Sequence, residues 1–160
     1  RHLLAAASRC EELSLLVGRL RRMSEPQRLR PTRIDLVPLV EGVLRRAGSR
    51  GDVRYEVQAD RQPAVHADAR LLRAAIEDLV ELAVQQAPEG SRVRFTLDGD
   101  GDGVSVRCTA PQRLHSGTWQ PTGDAYPSLV GIARAHGGEV TVDRSGEELM
   151  LALLLPATPS

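Results

Sequence analysis

The chain has 160 residues, and its 21 basic and 21 acidic side chains give a formal net charge of zero. This balance excludes a nucleic-acid partner recruited by bulk charge, and one Trp, two Tyr and one Phe are too few for base-stacking platforms. No apolar run approaches the roughly 20 residues of a membrane span, so we expect no membrane contact and a cytoplasmic location.

A helix is predicted over Arg1–Met23, followed by a linker in which Pro26 and Pro31 prevent the helix from continuing. Its apolar stripe has the spacing of a coiled-coil or bundle seam and consists of Leu3, Cys10, Leu13, Val17 and Leu20. We expect the stripe to form a homodimer with a second copy; the alternative is a helix packed on its own domain. The predicted division is therefore a helix and linker over residues 1–30 and a domain over 31–160.

The domain alternates short strands with amphipathic helices. The predicted helices are Leu36–Ala47, Asp68–Ala87 and Pro127–His136. The predicted strands cover Thr32–Ile34, Val53–Ala59, Ala64–Ala67, Val93–Leu97, Val104–Cys108, Glu139–Asp143 and Leu149–Leu155. Two of these strands meet at the DGDGDG run Asp98–Gly103, a hairpin turn without the spacing or closing Glu of a calcium loop. Together the elements predict a mixed sheet of about five strands covered on one face by three helices, an α/β (α+β) two-layer sandwich.

The helix after Asp68 organises this domain. Asp68 can cap it, because a carboxylate oxygen accepts the free backbone N–H groups of a first turn, and Pro88 and Gly90 end it. The broad apolar face consists of Leu71, Leu72, Ala75, Ile76, Leu79, Val80, Leu82 and Ala83.

This helix resembles the N-box helix of the histidine-kinase-type ATPases, the superfamily shared with DNA gyrase and anti-sigma kinases. The family reads roughly D-x-x-x-L-x-x-x-(I/L)-x-N-L-L-x-N-A-x-K, and here Asp68, Leu72 and Ile76 precede D-L-V-E-L-A at Asp78–Ala83. The ending A-H-G-G-E-V-T-V, Ala135–Val142, is similar to the family as well. The resemblance implies a Bergerat-type ATPase-like fold, preceded by the second helix of a kinase dimerisation hairpin.

The same resemblance implies an ATP and Mg²⁺ site whose first part is the N-box helix. The family's Mg²⁺-holding Asn falls on Leu82, and the Lys that follows falls on Gln85. In hydrolytic relatives the general base stands one turn before that Asn, which is Asp78 here. A general base cannot act here without a bound metal ion or a phosphate-binding loop. We therefore interpret Asp78 and Glu81 as a solvated helix edge and predict no catalytic residue.

Two glycine-rich turns complete the family's site. The D-x-G-x-G turn falls on Cys108–Gln112, so the adenine-reading aspartate becomes Cys108 and the glycines become Ala110 and Gln112. The G-L-G-L turn falls on Gly123–Tyr126, where Gly123 is kept and Ala125 replaces the second glycine. A thiol is a weak acceptor, and Gln in place of glycine obstructs close backbone approach.

These substitutions predict a degenerate ATPase-like domain, a pseudokinase of two-component signal transduction that serves as an interaction and dimerisation module. No cofactor is expected, although the family would use ATP and Mg²⁺; the partner would be a response regulator or another signalling protein. The alternatives are an active ATP-binding kinase domain and a partner-switching module of the anti-sigma or phosphotransferase type. The chain resembles part of a longer, membrane-attached sensor. His66 and His136 are interpreted as structural, and no metal site is predicted.

Overall fold

The computed structural model describes residues 28–48, 52–112, 119–144 and 146–159, together with the helical residues Leu13, Leu16 and Val17. The described elements are β1 Pro31–Asp35, α1 Leu36–Ala47, β2 Arg54–Ala59, β3 Ala64–Asp68, α2 Ala69–Gln86, β4 Arg92–Gly99, β5 Gly103–Pro111, α3 Ala125–Ala135, β6 Glu139–Asp143 and β7 Glu148–Pro156. Most of the helix predicted over Arg1–Met23 lies outside the described residues.

Five strands form one sheet in the order β2-β4-β5-β7-β6. The β2–β4 pair is parallel and the other three pairs are antiparallel, which confirms the predicted mixed sheet. The remaining strands, β1 and β3, pair antiparallel as a separate two-stranded sheet.

Alternation along the strands places the hydrophobic core between the sheet and the helices. The central strand β5 buries Val104, Val106, Cys108 and Ala110 and turns the intervening residues outward. All eight apolar residues predicted for the face of α2 are buried in the same core. The opposite face of the sheet carries ion pairs on β2, β4 and β5: Glu56 pairs with Arg92 and Arg94, and Asp98 with Arg107. This is the predicted two-layer sandwich.

The acidic run at Asp98–Gly103 is a tight turn between β4 and β5. One carboxylate oxygen of Asp100 accepts the backbone N–H groups of Asp102 at 2.9 Å and Gly103 at 3.1 Å. The turn is therefore closed by hydrogen bonds between the Asp100 side chain and the backbone. Among the residues that the structure describes, no group of His, Cys, Asp and Glu side chains is arranged to hold a metal ion, and no described helix is long and apolar enough to cross a membrane.

Candidate functional site

The N-terminus of α2 is built around the carboxylate of Asp68. Its Oδ1 accepts the backbone N–H groups of Arg70 at 3.1 Å and Leu71 at 3.2 Å, the predicted cap. Its Oδ2 accepts the N–H of Arg30 at 3.0 Å, which ties the linker to the domain. Burial by itself would raise the pKa of Asp68, but three backbone donors and the nearby Arg70 guanidinium outweigh it and hold the pKa below its ordinary value of 3.8.

The imidazole of His136 joins the end of α3 to the start of α2. It is 1% exposed; its Nε2 accepts the backbone N–H of Asp68 at 3.0 Å, and its Nδ1 lies 2.9 Å from the carbonyl oxygen of Ile132. With a proton on Nδ1 and a free pair on Nε2, the neutral ring satisfies both contacts. This confirms that His136 is structural. His66, by contrast, has an exposed side chain, and its backbone N–H donates to the carbonyl of Ala157.

The two glycines after His136 also have structural tasks. Gly137 ends α3 with φ +75° and donates to the carbonyl of Arg134 at 3.0 Å, a left-handed helix cap. Gly138, directly before β6, lies so close to β7 that a Cβ would lie 2.1 Å from the carbonyl oxygen of Leu154. The Ala-His-Gly-Gly signature therefore supports the fold directly and needs no ligand to explain it.

Four of the positions predicted to contact a nucleotide lie in the hydrophobic core, namely Leu82, Cys108, Ala110 and Ala125. Leu82 is fully buried on α2. Cys108 is 1% exposed in the middle of β5, opposite Phe95 of β4 and Leu151 of β7. Burial raises the pKa of the Cys108 thiol well above its usual range. The side chain is thus a neutral, buried thiol that forms no disulfide.

The residues predicted for the D-x-G-x-G turn belong to a strand and its first loop residue. β5 continues to Pro111, with Ala110 buried and paired to Leu149 of β7. Gln112 follows: its amide donates to the carbonyl of Gly146 at 3.2 Å, and its Oε1 accepts from Arg144 Nε at 3.1 Å. This end of β5 is fixed to the β6–β7 turn.

The loop before α3 is held down on α2 by Gln85. The Gln85 amide donates to the carbonyl of Thr122 at 2.8 Å, and its oxygen accepts the N–H of Thr122 at 3.2 Å. In the same loop Trp119 packs edge to face against Tyr126, with ring centroids 5.3 Å apart. We call the two hydrogen bonds between the Gln85 side chain and the Thr122 backbone the Gln85–Thr122 latch. Sequence reasoning missed it, because an amide's partner 37 residues away leaves no local pattern.

The loop ends at the residues predicted for the G-L-G-L turn. Gly123 has φ +80° with open space where a Cβ would be, whereas Ala125 is buried as the first residue of α3. The helix therefore begins two residues before the predicted Pro127.

The interpretation of Asp78 as part of a solvated helix edge is wrong. It is 1% exposed, while Glu81 is half-buried. The reason is that α2 packs against α1 and α3 as well as the sheet, so its buried surface is wider than one amphipathic face. The structure therefore places a carboxylate inside the domain, one turn before Leu82.

The residues at the positions that the resemblance assigns to the nucleotide site lack the chemistry that binds Mg²⁺-ATP. Mg²⁺ takes oxygen ligands, and Leu82 is a hydrocarbon enclosed by the core. Cys108 is a neutral buried thiol with no carboxylate to read an adenine amino group. Gln85, which the resemblance aligns with the family's lysine, has both polar atoms of its amide engaged with Thr122.

Several solved structures with the same fold are histidine kinases. Acinetobacter baumannii histidine kinase AdeS matches with a TM-score of 0.83 and 17% identity, over 97% of this chain and 83% of that one. The catalytic domain of histidine kinase ThkA matches with a TM-score of 0.70 and 17% identity, over 82% of this chain and 99% of that one. ThkA in complex with response regulator TrrA matches with a TM-score of 0.76 and 16% identity, over 96% of this chain and 49% of that one.

The chain therefore has the histidine kinase catalytic-domain fold, which confirms the predicted fold class. A comparison with protein-family models gives no match, and neither does a comparison with curated proteins.

Proposed function

We propose that this chain is a non-catalytic signalling module with the fold of a histidine kinase catalytic domain, and that it acts through protein contacts in two-component signalling. The observation that carries the proposal is the complete burial of Leu82, where the resembled pattern requires a polar Mg²⁺ ligand. The neutral thiol of Cys108 and the engaged amide of Gln85 support it. A response regulator is the proposed partner class, because the structurally similar ThkA is solved in complex with one. The proposed location is the cytoplasm.

The energetics favour very weak nucleotide binding. Micromolar affinity corresponds to about −8 kcal/mol, and a hydrogen bond to a charged group contributes about 1.5–3 kcal/mol. Loss of the adenine-reading carboxylate and of the metal contact together removes several kcal/mol. The remaining binding free energy corresponds to millimolar affinity at most.

Calorimetric titration of the folded chain with ATP, with and without Mg²⁺, tests the proposal. We expect no heat of binding at micromolar concentrations in either titration. A dissociation constant in the low micromolar range that depends on Mg²⁺ would refute the proposal in favour of an active ATP-binding domain.

A restoring variant, Leu82→Asn with Cys108→Asp, tests the placement of the site. It introduces two polar groups into the core, so its folding must first be checked by circular dichroism. Partial recovery of affinity in a folded variant would support the placement. No recovery would leave Ala110 and Gln112 as the main obstruction or contradict the placement.

A further inference from the structure

The surface between α1 and α2 contains a depression of about 310 Å³ lined by three arginines. Arg45 and Arg46 come from the last turn of α1, and Arg73 comes from the second turn of α2. All three are exposed. In the part of the chain that the structure describes, no carboxylate lies within 4.0 Å of these guanidinium groups.

Helix dipoles explain only part of this cluster. Cations at the C-terminus of a helix are favourable, which accounts for Arg45 and Arg46. Arg73 lies near the positive end of α2 and beside two like charges, where a cation gains nothing from the dipole. A bound anion would reduce the repulsion among the three arginines.

The shape of the depression depends on Gly42. This residue lies in the interior of α1, and packing does not require a glycine there. A Cβ built there would meet its nearest atom, Arg45 Nη2, at 3.9 Å, an ordinary contact. Alanine would fit and would favour the helix by about 0.5–1 kcal/mol. The missing side chain leaves room beside the arginines, and Pro38 and Leu39 add an apolar edge.

We propose that this surface, the arginine depression, is a docking site for an acidic segment of a partner protein. One or two carboxylates would pair with the guanidinium groups, which form bidentate contacts with carboxylates, and an apolar side chain would cover Pro38 and Leu39. The apolar edge favours a protein partner over nucleic acid. Nucleic-acid binding would also require a stripe of basic residues or stacking aromatic side chains, and the lining has no aromatic residue. The small volume suits side chains rather than a membrane surface. The inference does not depend on the absence of nucleotide binding.

Fluorescence anisotropy on the full chain tests the proposal, with a short labelled helical peptide of Glu, Ala and Leu and a matched peptide with Gln for Glu. The variant Arg45→Gln/Arg46→Gln/Arg73→Gln should raise the dissociation constant of the acidic peptide at least about tenfold, equivalent to about 1.4 kcal/mol. The control Arg54→Gln/Arg61→Gln/Arg134→Gln makes the same change in net charge at exposed arginines outside the depression. It should change the constant less than about twofold.

A second variant, Gly42→Leu, fills the depression without changing the charge and should weaken binding as well. Thermal unfolding verifies that each variant is folded. Equal losses in both arginine triples, wild-type binding by Gly42→Leu, or equal affinity for the Gln peptide would overturn the proposal. So would displacement of the peptide by inorganic phosphate, duplex DNA or anionic lipid vesicles at lower concentrations than by unlabelled peptide, since each indicates a different occupant.

Discussion

Asp68 connects more parts of the molecule than any single sequence pattern suggests. Its carboxylate caps α2 and holds the backbone of Arg30, while its own N–H donates to His136. Three segments that are distant in sequence therefore meet at this residue. The N-cap was predictable because capping is local; the contacts with Arg30 and His136 were not, because they depend on the packed fold.

Replacement of Asp68 by Ala should destabilise the protein by about 2 kcal/mol, near the upper end for a lost N-cap. The folded pKa is depressed, so the contribution is fully present above the unfolded value of about 3.9 and is lost as pH falls through the folded pKa. Urea unfolding from pH 7 down to pH 2.5 should show the difference between wild type and variant shrinking below about pH 4.

Asp60→Ala is the matched control for that experiment. Asp60 is exposed and has no hydrogen bond or ion pair among the described residues. Its removal should change stability by less than about 0.5 kcal/mol. An Asp68 variant as stable as this control, or a difference that stays constant with pH, would contradict the assigned role.

At the scale of elements, the bounds of α1 and α2 and the strand alternation followed from local chemistry. Hydrophobic period, caps and turn residues are all written in neighbouring positions. The burial of Asp78 was not predictable in this way, because it depends on α1 and α3 covering both flanks of α2. The Gln85–Thr122 latch escaped for the same reason, since it joins two elements across the fold.

The β6–β7 pair should be intolerant of a side chain at Gly138. A Cβ there would lie 2.1 Å from Leu154 O and 2.9 Å from Leu155 Cδ2, so the strand must move. We expect Gly138→Ala to lower the free energy of unfolding by about 3 kcal/mol. Gly101→Ala is the control, because a Cβ at Gly101 meets nothing within 4 Å. Equal urea midpoints for the two variants would show that β6 does not approach β7 this closely.

The latch should protect the Thr122 amide from hydrogen exchange. Gln85→Ala removes both of its hydrogen bonds, each worth about 0.5–1.5 kcal/mol, so exchange at Thr122 should accelerate about tenfold. Gln86→Ala is the matched control, because Gln86 neighbours Gln85 on the same helix and makes no side-chain hydrogen bond in the described structure. Unchanged exchange at Thr122 in the Gln85 variant would mean that the loop is held by other contacts.

At the scale of the whole molecule, the features shared with the resembled family are those that hold the sandwich together. Asp68, His136, Gly137 and Gly138 each have a hydrogen bond, a left-handed turn or a close approach to maintain. Among the positions that the resemblance assigns to a nucleotide, Leu82 lies in the core and Gln85 attaches a loop. The resemblance is therefore carried by residues that maintain the fold, and fold by itself does not fix function.

Assembly is the remaining prediction at this scale. Leu13 and Val17, two members of the N-terminal stripe, are 59% and 53% exposed in the single chain. Exposed apolar side chains in a regular row favour burial against a partner, so we expect a homodimer through Leu3, Cys10, Leu13, Val17 and Leu20. Light scattering should give a dimer for the full chain and a monomer for one beginning at Arg28. A chain beginning at Arg28 is preferable to one beginning at Pro31, the first residue of the predicted domain, because it keeps the hydrogen bond from Arg30 to Asp68.

A full-length variant separates loss of the stripe from loss of the segment. Leu13→Glu with Val17→Glu places two like charges in the expected seam and should yield monomers, whereas Leu16→Glu, at a residue 37% exposed that only widens the stripe, should weaken the dimer less. If wild type is a monomer, the stripe covers its own domain or another protein. If the dimer survives in the chain that begins at Arg28, the interface lies on the sandwich itself.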